Sequence, residues 1–473
     1  MERESVVIIG GGLAAIRTAA ALRHAGHQGV ITVVSQESSP PYDRPPLSKE
    51  LLTREQPAWL SEELGITVET VADHVFRGTT AQTIVPITTR DTSPATSPTQ
   101  HTDATDRWAV TTNTGHVITA THCVIATGST PTVPNGWENV HTMRTLDDAE
   151  RLRSAITNAS ADLQVSNSHH IATNAPSQGA SIVIIGAGWI GLELAGHLTH
   201  HGHQVTVLES GPSPLWRQLG PTVGQRIGAL HPDVTLQCNT IVTSVNKQPA
   251  TTRTCVTYTQ AGTTNTVTAD VVITAVGVRP ATHWLATPPE GSSPVITRED
   301  GLLTTTPTGA VHQHGHTLAG LYAVGDCAIR YDNTWGDIMP GHWNIALTDP
   351  ERIAHDVLGI AQPASTTPHV FSTQGAHHVD VFGVPHLANE VIFREISPTS
   401  WLAAWLSPNG AATALMIVNS PRDTSAARRI FRNGPISIDP RAFADPTIPL
   451  KNVALTNDKG VSALAHRAET PLS

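Results

Sequence analysis

The fold is decided by the stretch Val6-Val7-Ile8-Ile9-Gly10-Gly11-Gly12-Leu13-Ala14-Ala15. Four consecutive β-branched residues are typical of a strand that is buried on both faces. The strand leads into Gly-x-Gly-x-x-Ala and an alanine-rich segment to Ala25, which predicts a helix. Gly10 permits the tight turn, Gly12 lets a pyrophosphate approach the backbone, and Ala15 allows the helix to pack closely on the strand. The stretch therefore predicts a dinucleotide-binding βαβ unit.

The same arrangement occurs a second time, as Ile182-Val183-Ile184-Ile185-Gly186-Ala187-Gly188-Trp189-Ile190-Gly191-Leu192-Glu193. A helix is predicted from there to about His201, and a strand over 205–208 is followed by Glu209. In the first copy, the predicted strand 30–34 is followed by Glu37, slightly beyond the roughly 20 residues usual between the first glycine and a ribose-binding acid. Two such units predict that the chain binds a flavin and a nicotinamide dinucleotide, and therefore carries out hydride transfer.

Length and composition limit the other possibilities. The 473 residues suggest about three domains, and no apolar run approaches the ~20 residues needed to cross a bilayer. The formal net charge of −10 does not favour nucleic acid as a partner. Residues 1–5 are largely charged and lead directly into the first strand, so we expect no signal peptide. These features predict a cytoplasmic protein that binds neither nucleic acid nor membrane.

The four cysteines are Cys123, Cys238, Cys255 and Cys327, and no two of them are spaced as C-x-x-C. We therefore expect neither a disulfide scaffold nor a metal site. The apolar strand patterns around Cys123 and Cys327 predict that both are buried as small hydrophobic residues. This cysteine usage is typical of a reducing compartment.

A proline-rich segment follows the first βαβ unit, with the sequence Pro40-Pro41-Tyr42-Asp43-Arg44-Pro45-Pro46-Leu47-Ser48-Lys49. The prolines predict an extended or turning path with no helix before about Ser48. Arg44 and Lys49 would direct cations at a polyanionic or electron-accepting ligand, and a solvated proline-rich loop is the alternative. The segment resembles the P-Y-x-R-P-P-L-S-K element of the FAD-dependent, NADH-using ferredoxin reductases, which include putidaredoxin and rubredoxin reductases and serve oxygenases and cytochromes P450.

The resemblance extends over nearly the whole chain, through motifs in the family's order. They are Val124-Ile125-Ala126-Thr127-Gly128, Val272-Ile273-Thr274-Ala275-Val276-Gly277-Val278-Arg279-Pro280, Leu321-Tyr322-Ala323-Val324-Gly325-Asp326-Cys327-Ala328 and Ala444-Asp445-Pro446-Thr447-Ile448-Pro449-Leu450-Lys451. The first two are similar to the points where the chain leaves the flavin domain and the nicotinamide domain. In the third, the resemblance implies that Asp326 binds the ribityl or pyrophosphate region of FAD.

The implied fold class is α/β, with two Rossmann-like dinucleotide-binding domains for FAD and NAD and a C-terminal α/β domain. The expected boundaries are 1–150 and 288–364 for the two parts of the FAD-binding domain, 151–287 for the NAD-binding domain and 365–473 for a C-terminal α/β interface domain. In the last domain, strands are predicted over 379–382 and 414–418 and a helix through 426–429. The polar, low-complexity segments 91–107 and 157–179 have too little apolar content to fold, and we predict flexible insertions there.

The fingerprints and the resemblance give a set of candidate site residues. The residues expected to bind the two cofactors are Gly10, Gly12, Leu13, Ala14, Ala15, Glu37, Arg44, Lys49, Val75, Ala126, Thr127, Gly128, Gly186, Gly188, Trp189, Ile190, Gly191, Glu193, Glu209, Val276, Gly277, Gly325, Asp326, Trp343 and Ala346. The resemblance also implies two catalytic residues. Lys49 would stabilise charge on reduced flavin, and Glu193 would hold the nicotinamide amide or pair with Lys49. Alternatively, Glu193 is an ordinary carboxylate near a helix N-terminus, favoured by the helix dipole.

Two features specify the reaction further. Glu209 would accept a hydrogen bond from a ribose 2′-hydroxyl and repel a 2′-phosphate, which favours NADH over NADPH. No cysteine lies near Tyr42 to Lys49, so a covalent thiol intermediate has no candidate near the flavin. Electrons would then leave one at a time to an external carrier, and the resemblance implies a small acidic ferredoxin or rubredoxin-like protein. We expect a monomer or a homodimer.

A basic segment near the C-terminus is a candidate docking face for that carrier. It contains Arg422, Arg428, Arg429 and Arg432, and electrostatic attraction steers encounters of this kind. A solvated helix face is an equally good interpretation of the same residues.

The chain also departs from the family pattern. In Gly341-His342-Trp343-Asn344-Ile345-Ala346-Leu347-Thr348-Asp349-Pro350, Trp343 and Ala346 match the family's E-x-W-x-N-A-x-x-Q-G, whereas Ile345, Asp349 and Pro350 replace Asn, Gln and Gly. We expect a helix to begin near Asp349, with Asp349 as its N-cap. Further along, Pro368-His369-Val370-Phe371-Ser372-Thr373-Gln374 replaces P-W-F-W-S-D-Q, and Thr130 replaces an arginine that often contacts FAD. These changes leave the carrier and its docking mode open.

Two other functions stay open on the sequence. The protein could be an NADH oxidase or a reductase of a small organic acceptor, in which the ferredoxin-binding face is lost. It could instead be a flavin-based, redox-responsive binding protein that changes its interactions when NADH reduces the flavin.

Overall fold

The computed structural model describes residues 4–88, 106–167, 179–249, 251–286, 295–386 and 390–455. The first part of the chain contains strands β1 (Val6–Ile9), β2 (Ile31–Val34), β3 (His74–Phe76), β4 (Ala81–Thr88), β5 (Asp106–Thr112), β6 (Val117–Ala120), β7 (His122–Ile125) and β8 (Ser129–Pro131). Its helices are α1 (Leu13–His24), α2 (Pro45–Lys49), α3 (Leu60–Glu63) and α4 (Val68–Val71).

The second part begins with helix α5 (Leu146–Asn167). Its strands are β9 (Ser181–Ile185), β10 (Gln204–Leu208), β11 (Thr235–Gln237), β12 (Thr240–Lys247), β13 (Thr254–Gln260), β14 (Thr263–Ala269), β15 (Val271–Thr274) and β16 (Val278–Pro280). Its other helices are α6 (Trp189–His200), α7 (Trp216–Leu219) and α8 (Pro221–Gly228), with a 3-10 turn at His283–Ala286.

The remaining chain holds strands β17 (Leu303–Thr305), β18 (Ala310–Gln313), β19 (His316–Ala323), β20 (Ala328–Asp332) and β21 (Gly336–Ile338), then helices α9 (Trp343–Thr348) and α10 (Pro350–Val357). It ends in strands β22 (His369–Gln374), β23 (His377–Gly383), β24 (Glu390–Ser397), β25 (Ser400–Leu406), β26 (Ala411–Val418) and β27 (Ile436–Ser437). Helices α11 (Pro421–Ile430) and α12 (Pro440–Ala444) and a 3-10 turn at Leu450–Asn452 belong to the same part.

The first glycine-rich loop lies at the centre of a sheet built from both the beginning and the later part of the chain. Strands β3, β2, β1, β7 and β19 run parallel in that order, and β18, β17, β20 and β21 extend the sheet at one side. All four residues of β1 are at most 3% exposed, as the run of β-branched residues predicts. The predicted βαβ unit is therefore confirmed, with α1 beginning at Leu13.

The second glycine-rich loop has its own parallel sheet, in the order β11, β10, β9 and β15. Helix α6 begins at Trp189, directly after the loop, and β10 ends one residue before Glu209. The antiparallel strands β12, β13 and β14 form a separate small sheet. The chain leaves the first sheet region at β8 and returns to it after β16. These two short strands pair with each other as an antiparallel ribbon between the two regions.

The C-terminal part forms an antiparallel sheet in the order β22, β23, β26, β25 and β24, with β27 beside β26. Large side chains fill the space between this sheet and helices α11 and α12, including Phe382, Phe431 and Phe443, each at most 1% exposed. The strands predicted over 379–382 and 414–418 and the helix through 426–429 are confirmed. Among the described residues, no helix combines the length and the apolar character that crossing a membrane requires.

Several local predictions are wrong. Helix α2 begins at Pro45 rather than near Ser48, because prolines are compatible with the first turn of a helix. Helix α5 continues to Asn167, into the segment where we predicted a flexible insertion from 157, and β5 begins at Asp106, inside the other predicted insertion. The rest of these two segments lies outside the described residues.

Asp349 occupies the N-cap position of α10, as predicted, but its side chain does not cap that helix. Helix α9 begins before it at Trp343, α10 begins at Pro350, and the Asp349 side chain makes no cap hydrogen bond. Its carboxylate instead accepts from Arg330 Nε at 2.7 Å in the interior, and Arg330 Nη1 also donates to Asp332 at 2.7 Å. An ion pair between distant strands and helices therefore replaces the expected local cap.

Candidate active site

The carboxyl ends of β1, β2, β7 and β19 open into a cleft of about 1410 Å³, which the N-terminus of α6 and helix α9 also line. Such an edge of a parallel sheet is where dinucleotides bind in doubly wound folds. A site for one ligand typically measures ~300–1,000 Å³, so this cleft has room for more than one compact ligand.

The first glycine-rich loop leaves bare backbone at the floor of the cleft. Gly10 has φ +139°, and a Cβ atom there would lie 2.1 Å from the carbonyl oxygen of Ala126. Gly12 directly precedes α1, and a Cβ atom at this position would meet the guanidinium of Arg44 at 4.0 Å. The loop therefore brings an uncovered helix N-terminus and an arginine to one place, which suits a pyrophosphate.

Arg44 is held by partners on three sides. Its Nη2 pairs with Glu37 at 2.6 Å, and its Nη1 donates to the Tyr42 hydroxyl at 2.9 Å and to the Arg144 carbonyl at 2.5 Å. The Tyr42 hydroxyl in turn donates to the second carboxylate oxygen of Glu37 at 2.6 Å. Burial, together with the adjacent Glu37, raises the pKa of Tyr42, so this hydroxyl keeps its proton at neutral pH.

A second arginine in the cleft, Arg144, is one that the sequence analysis missed. Its Nη2 lies 3.0 Å from Asp326, and a Cβ atom on Gly128 would be 2.9 Å from the same nitrogen. Burial lowers the pKa of Arg144, although the guanidinium stays charged. A sequence signal that could have indicated Arg144 is the capping box that follows this residue. Thr145 and Asp148 exchange hydrogen bonds at the start of α5, and this fixes the direction of Arg144 just before the helix.

Lys49 and Glu193 meet across the cleft. Lys49 Nζ lies 2.6 Å from Glu193 Oε1, and the Ser48 hydroxyl donates to Glu193 Oε2 at 2.7 Å. Glu193 is 5% exposed, on the first turns of α6. Nearby, Trp343 Nε1 donates to Asp43 at 2.7 Å, and burial raises the pKa of that carboxyl group.

The second glycine-rich loop has the same local geometry but faces the cleft only at its end. Gly186 has φ +104°, and a Cβ atom there would lie 2.4 Å from the Ala275 carbonyl oxygen. The carboxylate of Glu209 accepts from the backbone N–H groups of Ala187 and Gly211, each at 2.7 Å. Glu209 therefore braces the loop itself, with acceptor capacity left for a ribose hydroxyl.

The cleft brings together most of the predicted site residues. Those in its lining are Gly10, Gly12, Leu13, Ala14, Glu37, Arg44, Lys49, Ala126, Thr127, Gly128, Trp189, Ile190, Glu193, Gly325, Asp326, Trp343 and Ala346. The predicted residues outside it are Ala15, Val75, Gly186, Gly188, Gly191, Glu209, Val276 and Gly277. Ala15 is fully buried under the loop, and Val75 pairs with Val33 in β3 and packs into the core. The other six belong to the second loop and the strand ends beside it.

Two family models match this chain. The model described as pyridine nucleotide-disulphide oxidoreductase matches residues 4–349, which is most of the chain. The chain belongs to the pyridine nucleotide-disulphide oxidoreductase family. The model described as reductase C-terminal matches residues 370–454, which correspond to the antiparallel sheet and its helices. The predicted fold class of this oxidoreductase, α/β with a C-terminal domain, is confirmed.

Relatives of the oxidoreductase align over nearly their full lengths. The ferredoxin–NAD(+) reductase component of a p-cumate 2,3-dioxygenase system from Pseudomonas putida is 27% identical over 458 residues, covering 95% of this chain and 98% of that protein. Rhodocoxin reductase from Rhodococcus erythropolis is 26% identical, covering 94% and 93%. The crystal structure of Fdr9 matches with a TM-score of 0.73 at 30% identity, covering 94% of this chain and 99% of that one. The predicted resemblance to ferredoxin reductases is thereby confirmed.

Membership of this family implies FAD and a nicotinamide dinucleotide as cofactors, and the oxidoreductase has residues that fit both. Gly10 permits the tight turn against Ala126, and Gly12 leaves the backbone bare towards the cleft. Arg44 and Arg144 supply positive charge in the same cleft. At the second loop, the bare N-terminus of α6 and the Glu209 carboxylate supply donors and acceptors of the kind a dinucleotide needs.

Proposed function

We propose that the chain passes electrons from NADH through FAD to a small acidic iron–sulfur carrier, a ferredoxin or rubredoxin-like protein that serves an oxygenase or cytochrome P450. The carrying observation is the cleft, in which Lys49 and Glu193 meet between the two dinucleotide loops while no thiol reaches it. All four cysteines lie among the described residues, Cys123 and Cys327 are fully buried, and none lines the cleft. The names of the relatives, which are reductases of ferredoxins and rubredoxins, support the same acceptor class.

The two cofactors supply hydride transfer and one-electron transfer when they are bound. The protein's part is to align and shield them, because hydride transfer needs the reacting atoms about 3–3.5 Å apart with water excluded. Arg44 and Arg144 bind the pyrophosphate of FAD at the first loop, beside the bare backbone of Gly12. Asp326 accepts from Ser129 at 3.1 Å and from Arg144, and its carboxylate would hold the ribityl or pyrophosphate region of a bound FAD.

Lys49 stabilises negative charge that develops beside it, and Glu193 orients the nicotinamide through its carboxamide. Phe371 and Trp343 cover the cleft at the α9 side, with their rings 5.8 Å apart, and exclude water from the reacting pair. Without a thiol in the cleft, electrons have no covalent acceptor in the protein and leave to an external carrier.

Rapid-mixing kinetics tests this proposal. The protein loaded with FAD is mixed anaerobically with NADH, and we expect the flavin absorbance to bleach at more than about 1 s⁻¹, as typical turnover requires. A ferredoxin added with cytochrome c should then support cytochrome reduction. Rapid oxygen consumption without a carrier would support an oxidase instead, and slow reduction with a complex that lasts minutes in air would support a binding protein. A protein that stays colourless after incubation with FAD contradicts all three.

For the carrier, we propose docking on the basic face of α11 and the turn after it. Arg428 and Arg429 are exposed on α11, and Arg432 is exposed just beyond it. Arg428 also lies over the Phe382 ring at 5.9 Å, and among the described residues neither Arg428 nor Arg429 forms a salt bridge. These unpaired cations complement an acidic surface.

Charge reversal tests the docking face. The double variant Arg428→Glu/Arg429→Glu should lower kcat/KM for the ferredoxin about tenfold at low salt, because electrostatic steering raises association rates. The loss should shrink as ionic strength rises, while NADH-dependent ferricyanide reduction stays unchanged. Arg298→Glu, a reversal at an exposed residue on another face, serves as the control. An unchanged salt dependence of the ferredoxin rate would contradict docking at α11.

Three finer points complete the proposal. NADH is preferred over NADPH, because the Glu209 carboxylate lies where a 2′-phosphate would bring a second negative charge. The protein acts in the cytoplasm, and its four unpaired thiols agree with a reducing compartment. It functions as a monomer or a homodimer.

The domain boundaries at 150, 287 and 364 are part of the same proposal. The change to an antiparallel sheet after α10 supports the boundary at 364, whereas position 150 falls inside helix α5.

A further inference from the structure

Glu193 receives hydrogen bonds from two sides of the molecule. The residues of α2 supply Lys49 Nζ at 2.6 Å and the Ser48 hydroxyl at 2.7 Å. The C-terminal domain supplies a third donor, because the Ser372 hydroxyl on β22 donates to Glu193 Oε1 at 2.5 Å. The carboxylate therefore lies at a junction of three domains, and Ser372 is as buried as Glu193 itself.

Behind Ser372, the hydrogen bonds continue in one direction. Gln374 Nε2 lies 2.7 Å from the Ser372 hydroxyl oxygen, and Gln374 Oε1 lies 3.1 Å from His231 Nε2. The single hydroxyl proton of Ser372 goes to Glu193, so Ser372 must accept from the amide of Gln374. The amide oxygen then faces His231, which must carry a proton on Nε2. Every donor in the chain His231–Gln374–Ser372 thus points towards Glu193.

These partners are well enclosed. Gln374 is completely buried, and Ser372 and His231 are at most 6% exposed. Burial lowers the pKa of His231, which keeps the imidazole neutral with one ring nitrogen as a donor. A neutral imidazole, an amide and a hydroxyl add no charge that would compete with Lys49 for the carboxylate.

At this junction, the backbone of α6 and the backbone of the turn after β22 lie very close together. Helix α6 contacts the turn after β22, and a Cβ atom on Gly196 would lie 2.6 Å from the backbone nitrogen of Gly375. Gly375 itself has φ +61°. Glycine at 196 lets the C-terminal domain come near enough for Ser372 to reach a side chain one helical turn earlier on α6.

We propose that Ser372, Gln374 and His231 are positioning residues that hold the Glu193 carboxylate in one orientation towards the nicotinamide, so that the C-terminal domain helps to build the nicotinamide site. This inference rests on the proposed function, in which Glu193 contacts the nicotinamide. A carboxylate has about four acceptor positions, and Lys49, Ser48 and Ser372 use three of them. The fourth is left for an N–H of the carboxamide, and its direction depends on the other three.

Two deletions in the hydrogen-bond chain test the inference. Ser372→Ala removes the direct donor to Glu193, and Gln374→Met removes the group that orients Ser372 while keeping a similar length. We expect Ser372→Ala to weaken NAD⁺ binding to the FAD-loaded protein about tenfold, as the loss of a hydrogen bond to a charged group implies. Gln374→Met should weaken it about threefold. The matched control is Ser400→Ala on β25 of the same sheet, whose hydroxyl donates to the carbonyl of Asn419.

The readouts separate positioning from folding. Calorimetric titration gives the Kd of NAD⁺, the long-wavelength charge-transfer absorbance with NADH reports nicotinamide alignment, and thermal unfolding reports stability. The inference requires Ser372→Ala to lower the charge-transfer absorbance, to raise the Kd of NAD⁺ and to lower kcat/KM for NADH. The rate at which ferricyanide oxidises the photoreduced protein should stay unchanged, because that step does not involve the nicotinamide. Ser372→Thr, which restores a hydroxyl, should recover at least half of the lost affinity.

Two results would overturn the inference. In the first, Ser372→Ala binds NAD⁺ and aligns it as the wild type does. In the second, affinity falls only in proportion to Tm across all variants, Ser400→Ala included, which would make the contact a purely structural one. Failure of the premise that a nicotinamide binds beside Glu193 is distinguishable, because the wild-type protein itself would then neither bind NAD⁺ nor develop charge-transfer absorbance. Failure to reduce a ferredoxin, by contrast, appears in the cytochrome c assay and leaves both of these readouts unchanged.

Discussion

The two glycine-rich loops have nearly identical local structures and different surroundings. In both, a buried strand is followed by a glycine with positive φ, and a helix begins three residues after that glycine. The first loop faces two half-buried arginines, Arg44 and Arg144. The second loop instead holds a negative charge. The Glu209 carboxylate accepts hydrogen bonds at 2.7 Å from backbone N–H groups in and beside this loop. Cations beside a pyrophosphate strengthen its binding. We therefore expect the first loop to hold its dinucleotide more tightly than the second loop, whose dinucleotide would exchange during turnover.

The helices that follow the two loops also differ in what they contact. Helix α1 packs mainly on α9 and α10, and Arg17 donates to the carbonyl of Leu347. Helix α6 faces other domains, with Glu193 against Lys49 and His197 accepting from the backbone N–H of Leu52 at 3.0 Å. The helix of the first fingerprint thus packs on α9 and α10, whereas the helix of the second contacts segments from the beginning and the end of the chain.

The largest expected effect concerns the cations of the first loop. Arg144→Met removes a charged donor from the cleft, worth about 1.5–3 kcal/mol, so FAD affinity should fall about 10- to 100-fold. NAD⁺ affinity should change less than about twofold, because Arg144 lies at the other loop. Fluorescence titration of the apoprotein with FAD measures the first quantity and calorimetry measures the second.

The matched control is Arg298→Met, which removes an exposed arginine that pairs with Asp300. Equal losses of FAD and NAD⁺ affinity in Arg144→Met would mean that the two loops share their electrostatic environment, contrary to the comparison.

A smaller effect is expected at the acid of the second loop. In the wild type, kcat/KM should favour NADH over NADPH by at least about tenfold, and Glu209→Gln should reduce that ratio about fivefold or more, since the repulsion of a 2′-phosphate disappears. Glu37→Gln, the equivalent change beside the first loop, should leave the ratio unchanged. Steady-state kinetics with both coenzymes provides the measurement, and equal use of NADPH by the wild type would refute the role of Glu209.

The smallest expected effect is a pH dependence of stability at His197, which links α6 to the segment after α2. Burial and the neighbouring histidines lower the pKa of His197 to about 4, against about 6.5 in an unfolded chain. Between these values the unfolded chain binds a proton that the folded protein does not, so stability falls as pH drops from about 6.5 to 4. His197→Gln, which keeps an acceptor without titrating, should make the fall in Tm shallower by about 1–3 °C.

The control for that experiment lies on the other fingerprint helix. His24 is exposed at the end of α1, and His24→Gln should leave the slope of Tm against pH as it is in the wild type. A shallower slope in both variants would mean that the effect is not particular to α6.

Much of the candidate site could be predicted, because the residues that form it belong to short, contiguous sequence motifs. Gly10, Gly12, Gly186 and Gly191 form contiguous motifs in which each residue type follows from a turn or a close approach. Arg44 and Lys49 were found through a contiguous segment as well. Arg144 was missed, because an isolated arginine carries no pattern until the capping box beside it and the cleft opposite it are both known.

The sequence by itself determined the two βαβ units, the α/β class and the lack of a cysteine in the proline-rich segment after the first loop. These follow from periodicity, glycine spacing and the positions of four cysteines, all of which are properties of neighbouring residues. Only the tertiary structure decided that Ser372 reaches Glu193, that Arg144 meets Asp326 and that Asp349 pairs with Arg330 instead of capping a helix. Each of these contacts depends on how separate strands and helices pack, and short-range patterns in a sequence carry no record of that packing.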